Sequence, residues 1–227
     1  MNPGFFPDFQ ASTANPIMRY GDGFTDASWN DPTILKENGQ YIMYITSATG
    51  FILSDSNTVK VYRQVSADGY NWTLSPTTPV VAPVPGTYYA GGTETPSVVY
   101  KDSVYHMYLT CYPPGNISTE FVIGHATSPD GLQWTMDATP VLESDGSATL
   151  YGDLVGEPGA IVYHDSIHVF FTAAGTVASV PTQSIGWMKS ADGTHFDAPR
   201  QAVTMPQSVY PLTSDYWGLS TPSALAI

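Results

Sequence analysis

Three acids stand beside prolines at long, nearly regular intervals in this chain: Asp31 directly before Pro32, Glu94 two residues before Pro96, and Glu157 directly before Pro158. Cleavage of a glycosidic bond needs carboxyl groups in pairs, one to protonate the departing oxygen and one to activate water or attack the anomeric carbon. Crowding a third acid against such a pair raises the pKa of one member, which then keeps its proton near neutral pH. A lone acid of this kind serves equally well as a turn cap or as an acceptor for backbone amides. The chemistry therefore depends on whether the chain gathers Asp31, Glu94 and Glu157 at one point.

A repeat gives the reason to expect that it does. Ser66 to Trp72 reads SADGYNW, Ser128 to Trp134 reads SPDGLQW and Ser190 to Phe196 reads SADGTHF, a period of 62 residues (128 − 66 and 190 − 128). Self-similarity at fixed spacing marks a repeat architecture. Aligning Val99-Tyr-Lys-Asp-Ser103 with Val162-Tyr-His-Asp-Ser166 sets Glu94 opposite Glu157, with Ser220 at the next matching place and Asp31 one residue beyond its own.

Each copy reads as an acid-plus-proline opening followed by four short strands. The first copy has strands at 33–36, 41–46 and 59–65 with a fourth from Trp72; the second at 98–100, 104–110 and 121–127 with a fourth from Trp134; the third at 160–163, 167–172 and 184–189 with a fourth from Phe196. No stretch holds a helical period. The fold class is all-β, and four-stranded units repeated radially form a β-propeller. Residues 1–227 form one propeller domain, complete or partial, with blade openings near 31, 94, 157 and 220. The first strand of each blade lines the central channel, so the three acids are expected to meet there.

The Asp-Gly pairs at 68–69, 130–131 and 192–193 suit tight turns, because Gly accepts positive φ. Trp72, Trp134 and Phe196 are expected to pack between blades. A fourth opening, Ser220 to Leu225, begins a further copy. It predicts a C-terminal portion that continues the ring. The alternatives are strands from Asn15 to Tyr20 that complete a closing blade, and self-association through the exposed blade edge.

Composition narrows the partners. With 42% hydrophobic and 13% aromatic residues the chain is globular, and twenty acids against seven Lys and Arg give a formal net charge of −13. That field repels phosphate backbones and anionic lipid, which counts against nucleic acid and membrane surfaces. A neutral carbohydrate is compatible with it. Cys111 is the single cysteine, so an intrachain disulfide is excluded, and its place after an apolar run reads as a buried inert thiol. The five His residues show no zinc spacing. Cofactors are expected to be none, and calcium at the loop acids Asp22, Asp26, Asp145, Asp153 and Asp215 is not readable from sequence. Trp29, Tyr89 and Trp217 lie just upstream of openings, where their faces could stack on sugar rings or fill gaps between blades. The start MNPGFFPDFQ lacks the pattern of a secretory signal, while sequons at Asn71 and Asn116 fit an exported protein whose signal is not part of this sequence.

Three segments carry a resemblance. Trp29-Asn30-Asp31-Pro32 with Thr-Ile-Leu-Lys after it, Gly124 to Trp134, and Gly156-Glu157-Pro158 resemble the five-bladed propeller glycoside hydrolases of families 43 and 32 and their relatives, over about 29–227. The resemblance implies a five-bladed ring, incomplete in this chain, and a neutral substrate containing arabinose, xylose or fructose. It implies Asp31 as general base or nucleophile, Glu157 as general acid and Glu94 as modulator. Those families carry an Asp beside the second-blade proline, where this chain has Thr95 and Ser97. Their acidic Glu stands one residue from its proline, a spacing that Glu94-Thr95-Pro96 has and Glu157-Pro158 lacks, so the roles of the two glutamates stay open to exchange.

Overall fold

The computed structural model of the chain describes residues 27–49, 59–113, 121–146, 151–177, 180–203 and 219–224, together with 13, 15–19, 21, 22 and 149. These form three antiparallel sheets of four strands, each in sequence order from inner to outer edge. The first holds β1 (Ala27–Glu37), β2 (Gln40–Thr49), β3 (Lys60–Ser66) and β4 (Thr73–Leu74); the second holds β5 (Gly92–Lys101), β6 (Val104–Tyr112), β7 (Val122–Ser128) and β8 (Thr135–Met136); the third holds β9 (Leu154–Tyr163), β10 (Ser166–Val177), β11 (Val180–Ser190) and β12 (Arg200–Val203). The inner strand β5 packs against both β1 and β9, which arranges the sheets as successive blades of an arc. No helix among the described residues is long and apolar enough to cross a membrane.

The core lies between blades, and strand alternation builds it. Side chains of successive strand residues point to opposite faces. In β6, Met107, Leu109 and Cys111 join Ile42, Tyr44 and Val61 of the first blade in one buried cluster. The intervening Tyr108 joins Ile167, Val169 and Phe171 of the third blade in another. A strand buried on both faces reads as a continuous apolar run, which is why VYHMYLT shows little polar alternation.

The Ser-x-Asp-Gly segments are the turns expected. The hydroxyls of Ser66, Ser128 and Ser190 accept the N–H of Gly69, Gly131 and Gly193, each at 2.9 Å. The Asp carboxylates accept the next two amides, as Asp68 does from Tyr70 and Asn71, both at 2.8 Å. Those amide bonds hold the Asp68, Asp130 and Asp192 carboxyls below their ordinary range. The second and third turns are then bonded by the preceding blade: Tyr44 donates its hydroxyl to the Gly131 carbonyl at 2.9 Å, and Tyr108 donates to that of Gly193 at 2.7 Å. Two of the three closing aromatics pack between blades, Trp134 edge-on to Tyr44 and Phe196 edge-on to Tyr108, at ring distances of 5.5 and 5.7 Å, whereas Trp72 borders a hollow with Ile17 and Met18.

Two expectations are corrected. The acid-plus-proline openings lie inside the first strand of each blade, and do not precede it. Pairing runs from Asn30↔Thr46 to Thr33↔Tyr44, from Glu94↔Thr110 to Ser97↔Tyr108, and from Gly156↔Thr172 to Gly159↔Phe170, with a register shift at each X-Pro. Proline has no N–H for the ladder, so the strand bulges there. The second correction follows from the same pairs: Glu157 is equivalent to Thr95, not to Glu94. The alignment on the Val-Tyr pairs is out by one residue, because the hairpin pairs are Lys101↔Val104 and Tyr163↔Ser166. The residues on the bulges are Asp31, Thr95 and Glu157; Thr221, directly before Pro222, is the matching residue where a fourth copy opens.

Candidate active site

The three bulge residues and Thr221 take the left-handed backbone conformation, with φ of 52° at Asp31, 48° at Thr95, 49° at Glu157 and 53° at Thr221. This conformation costs a non-glycine residue about 1–3 kcal/mol and persists only where the surroundings impose it. At the last three of these the surroundings include a threonine from the second strand of the preceding blade. Thr46 Oγ1 accepts the Thr95 N–H at 2.9 Å, Thr110 Oγ1 accepts the Glu157 N–H at 2.8 Å, and Thr172 Oγ1 accepts the Thr221 N–H at 2.9 Å. The Thr that ends each apolar strand in the sequence is thus a clasp between blades. It satisfies a buried amide that the bulge removes from its own ladder.

The bulges border a hub cavity of about 690 Å3, lined by the inner-strand runs 31–35, 95–100 and 157–162 and by residues 221–224. Asp31 and Glu157 both line it. Asn30 donates to Asp31 Oδ2 at 2.7 Å. Burial raises the Asp31 pKa, the Asn30 bond offsets part of that rise, and the Glu157 charge adds to it. Glu157 Oε2 accepts the Thr172 hydroxyl at 2.6 Å and both the N–H and the hydroxyl of Thr221, each at 3.1 Å.

Glu94 sits one residue before the cavity-lining Thr95. Burial pushes its carboxyl up to about 7; a hydrogen bond from the Tyr112 hydroxyl opposes this, and the charges of Asp31 and Glu157 reinforce it. The three acids therefore form one electrostatic group, in which Glu94 is the member pushed up to about 7.

The aromatic candidates fall elsewhere. Trp29 donates its indole N–H to the Asp22 carbonyl at 2.9 Å and packs edge-on to Tyr62 at 5.7 Å. It borders a separate hollow shared with residues 15–19, Met43 and Ile45. Tyr89 packs edge-on to Tyr88 at 5.1 Å against the first core cluster. Trp217 lies outside the described residues, as do Asp26, Asn116 and Asp215. Among the described residues no group of three or more His, Cys, Asp or Glu is placed to hold a metal ion.

Sequence reasoning missed Asn30, Thr95, Tyr112, Thr172 and Thr221 as members of the site. A usable signal was present, since Asp31-Pro32, Thr95-Pro96, Glu157-Pro158 and Thr221-Pro222 are all X-Pro steps at 62- or 64-residue spacing. It also missed a buried polar chain between blades two and three: His106 Nδ1 lies 3.0 Å from His125 Nε2, and His125 Nδ1 lies 2.8 Å from Asp137 Oδ2.

No protein-family profile matches the sequence, and no curated protein matches it. Solved structures do. A family 117 glycoside hydrolase from the marine bacterium Zobellia galactanivorans superposes with a TM-score of 0.67 at 20% identity, over 79% of this chain and 57% of that one. A family 43 enzyme from Xanthomonas citri, solved with xylotriose, superposes with a TM-score of 0.59 at 11% identity, over 80% of this chain and 57% of that one. A family 32 β-fructofuranosidase of Bombyx mori gives 0.58 at 12% identity, over 78% of this chain and 38% of that one. The fold is thus that of the propeller glycoside hydrolases, and the chain spans little more than half the length of the first of these structures.

Proposed function

We propose that the chain carries a glycosidase site that cleaves neutral poly- or oligosaccharide, with Asp31 as general base or nucleophile and Glu94 as the proton donor. The observation that carries this reading is the coupling of three acids at one hub, where Glu94 is pushed up to about 7 while Asp31 and Glu157 border the cavity. A carboxyl pushed up towards neutrality is suited to protonate a leaving oxygen, and a neighbouring carboxylate is suited to activate water. Assigning the acid to Glu94 exchanges the glutamate roles that the resemblance implies. The Glu-x-Pro spacing supports the exchange, as does the set of three donors on Glu157, which suits a fixed acceptor. Substrates containing arabinose, xylose or fructose fit the folds matched, one of them named a fructofuranosidase and another solved with xylotriose.

The test is hydrolysis of arabinan-, xylan- and fructan-derived oligosaccharides by the parent and by Asp31→Asn and Glu94→Gln. Each variant is expected to lose about 100-fold or more in kcat, the usual contribution of a positioned acid or base. Undiminished turnover in both removes the assignment. A second reading, a non-catalytic carbohydrate-binding propeller, is favoured by Thr95 at the bulge where the resemblance implies an Asp. It predicts glycan affinity without product. The chain is further read as exported, on the exposed sequon Asn71; the mass of the protein secreted from a glycosylating host tests that.

A further inference from the structure

Glu157 is held unlike either of its acidic neighbours. Three donors converge on the single oxygen Oε2: the Thr172 hydroxyl at 2.6 Å, the Thr221 N–H at 3.1 Å and the Thr221 hydroxyl at 3.1 Å. Thr172 Oγ1 spends its one hydrogen on Glu157 and uses a lone pair for the Thr221 N–H at 2.9 Å, so that N–H is shared between Thr172 Oγ1 and Glu157 Oε2. These donors hold the carboxyl by Oε2.

The rest of the hub shows that this arrangement is particular to the third copy. At the equivalent place in the second blade the pairing joins two hydroxyls, Thr95 Oγ1 and Thr110 Oγ1, at 2.5 Å. At the first bulge the donor to Asp31 is Asn30 from its own strand. Among the described residues, only at Glu157 do threonines from two segments grip an acid. One is on β10 and the other opens the fourth copy.

We propose that Thr172 and Thr221 are positioning residues that lock Glu157 as a fixed hydrogen-bond acceptor, through Oε1, for a hydroxyl of the bound sugar. The inference rests on the carbohydrate-site reading given above and assigns Glu157 a task other than proton transfer. A free glutamate side chain loses rotamer freedom when it engages a ligand, and prior locking removes that cost. A hydrogen bond to a charged acceptor is worth about 1.5–3 kcal/mol, or roughly 10- to 100-fold in affinity. Losing the lock is therefore expected to appear in binding of the sugar and in KM, with kcat and its pH dependence retained.

The test uses Thr172→Val and Thr221→Val, which remove the hydroxyl donors at nearly constant shape, with Thr172→Ser and Thr221→Ser as rescue variants. Crystal structures without ligand read the lock itself: one Glu157 rotamer in the parent and Ser variants, several in the Val variants. Calorimetry of an oligosaccharide against each variant in an Asp31→Asn background reads affinity without turnover, and is expected to weaken about 10-fold for Val and recover for Ser. Kinetics across pH are expected to give a raised KM with both limbs of the profile unmoved. An unchanged Glu157 rotamer in both Val variants overturns the lock. Displaced pH limbs at constant KM overturn the acceptor role, and a parent that binds no glycan overturns it too. A parent that binds glycan without cleaving it sinks only the enzyme reading, because the rotamer and affinity results still decide the lock.

Discussion

Replacing Glu94 with Gln is expected to make the protein more stable at alkaline pH while removing its proposed proton donor. Burial is the main cause of the raised Glu94 carboxyl, which moves from an ordinary 4.5 to about 7, with the Asp31 and Glu157 charges adding to it. At 1.36 kcal/mol per pKa unit, the native fold disfavours the ionised form by about 3 kcal/mol. The folded chain holds this proton more tightly than the unfolded chain does. Stability is therefore undiminished at or below about pH 4.5, falls as the pH rises towards 7, and carries the whole cost above that. Gln has no charge to bury and still offers an oxygen to the Tyr112 hydroxyl. Urea unfolding followed by tryptophan fluorescence at pH 4.5, 6 and 8 reads the difference. The variant should gain about 3 kcal/mol at pH 8 and almost nothing at pH 4.5. No gain at pH 8, or an equal gain at all three values, would refute the burial argument and with it the choice of Glu94 as acid.

Other outcomes follow from the blade interfaces. Tyr108→Phe leaves the Gly193 carbonyl without its buried donor, and is expected to lower unfolding stability by about 1–3 kcal/mol in urea, with Tyr44→Phe behaving alike at Gly131. Burial lowers the pKa of both His106 and His125 from 6.5, so the folded chain binds fewer protons than the unfolded one as the pH drops below about 6.5, and stability falls with it. His106→Gln is expected to make that fall shallower, measured as the difference in urea midpoint between pH 7 and pH 5. The Cys111 thiol is fully buried and its pKa is raised by that burial. A thiol reagent should label it only after unfolding, and rapid labelling of the native protein would contradict the packing.

Much of the architecture is legible along the chain, because a repeat writes its own geometry. The Asp-Gly turns, the aromatics that close them and the terminal threonines of the apolar strands each recur where the blades need them. Local rules suffice for these: Gly69, Gly131 and Gly193 carry the positive φ that a tight turn requires. The first strands were harder to delimit. Gly92 to Pro96 looks like an opening loop, since Gly, Thr and Pro are poor strand residues, yet β5 runs through it because its other backbone groups pair with β6.

What the sequence determines by itself is the set of local choices, namely which residues can turn, which alternate, and which acids stand beside prolines. Register across a bulge is a different kind of fact. Whether Glu94 or Thr95 stands level with Glu157 depends on one residue of slip in a ladder, and only pairing with the neighbouring strand decides it. The threonine clasps, the three donors on Glu157 and the proton held by Glu94 likewise arise from groups 15 to 64 residues apart. Burial and charge act through space, so they come into being when the blades close on the hub, and chain order alone does not carry them.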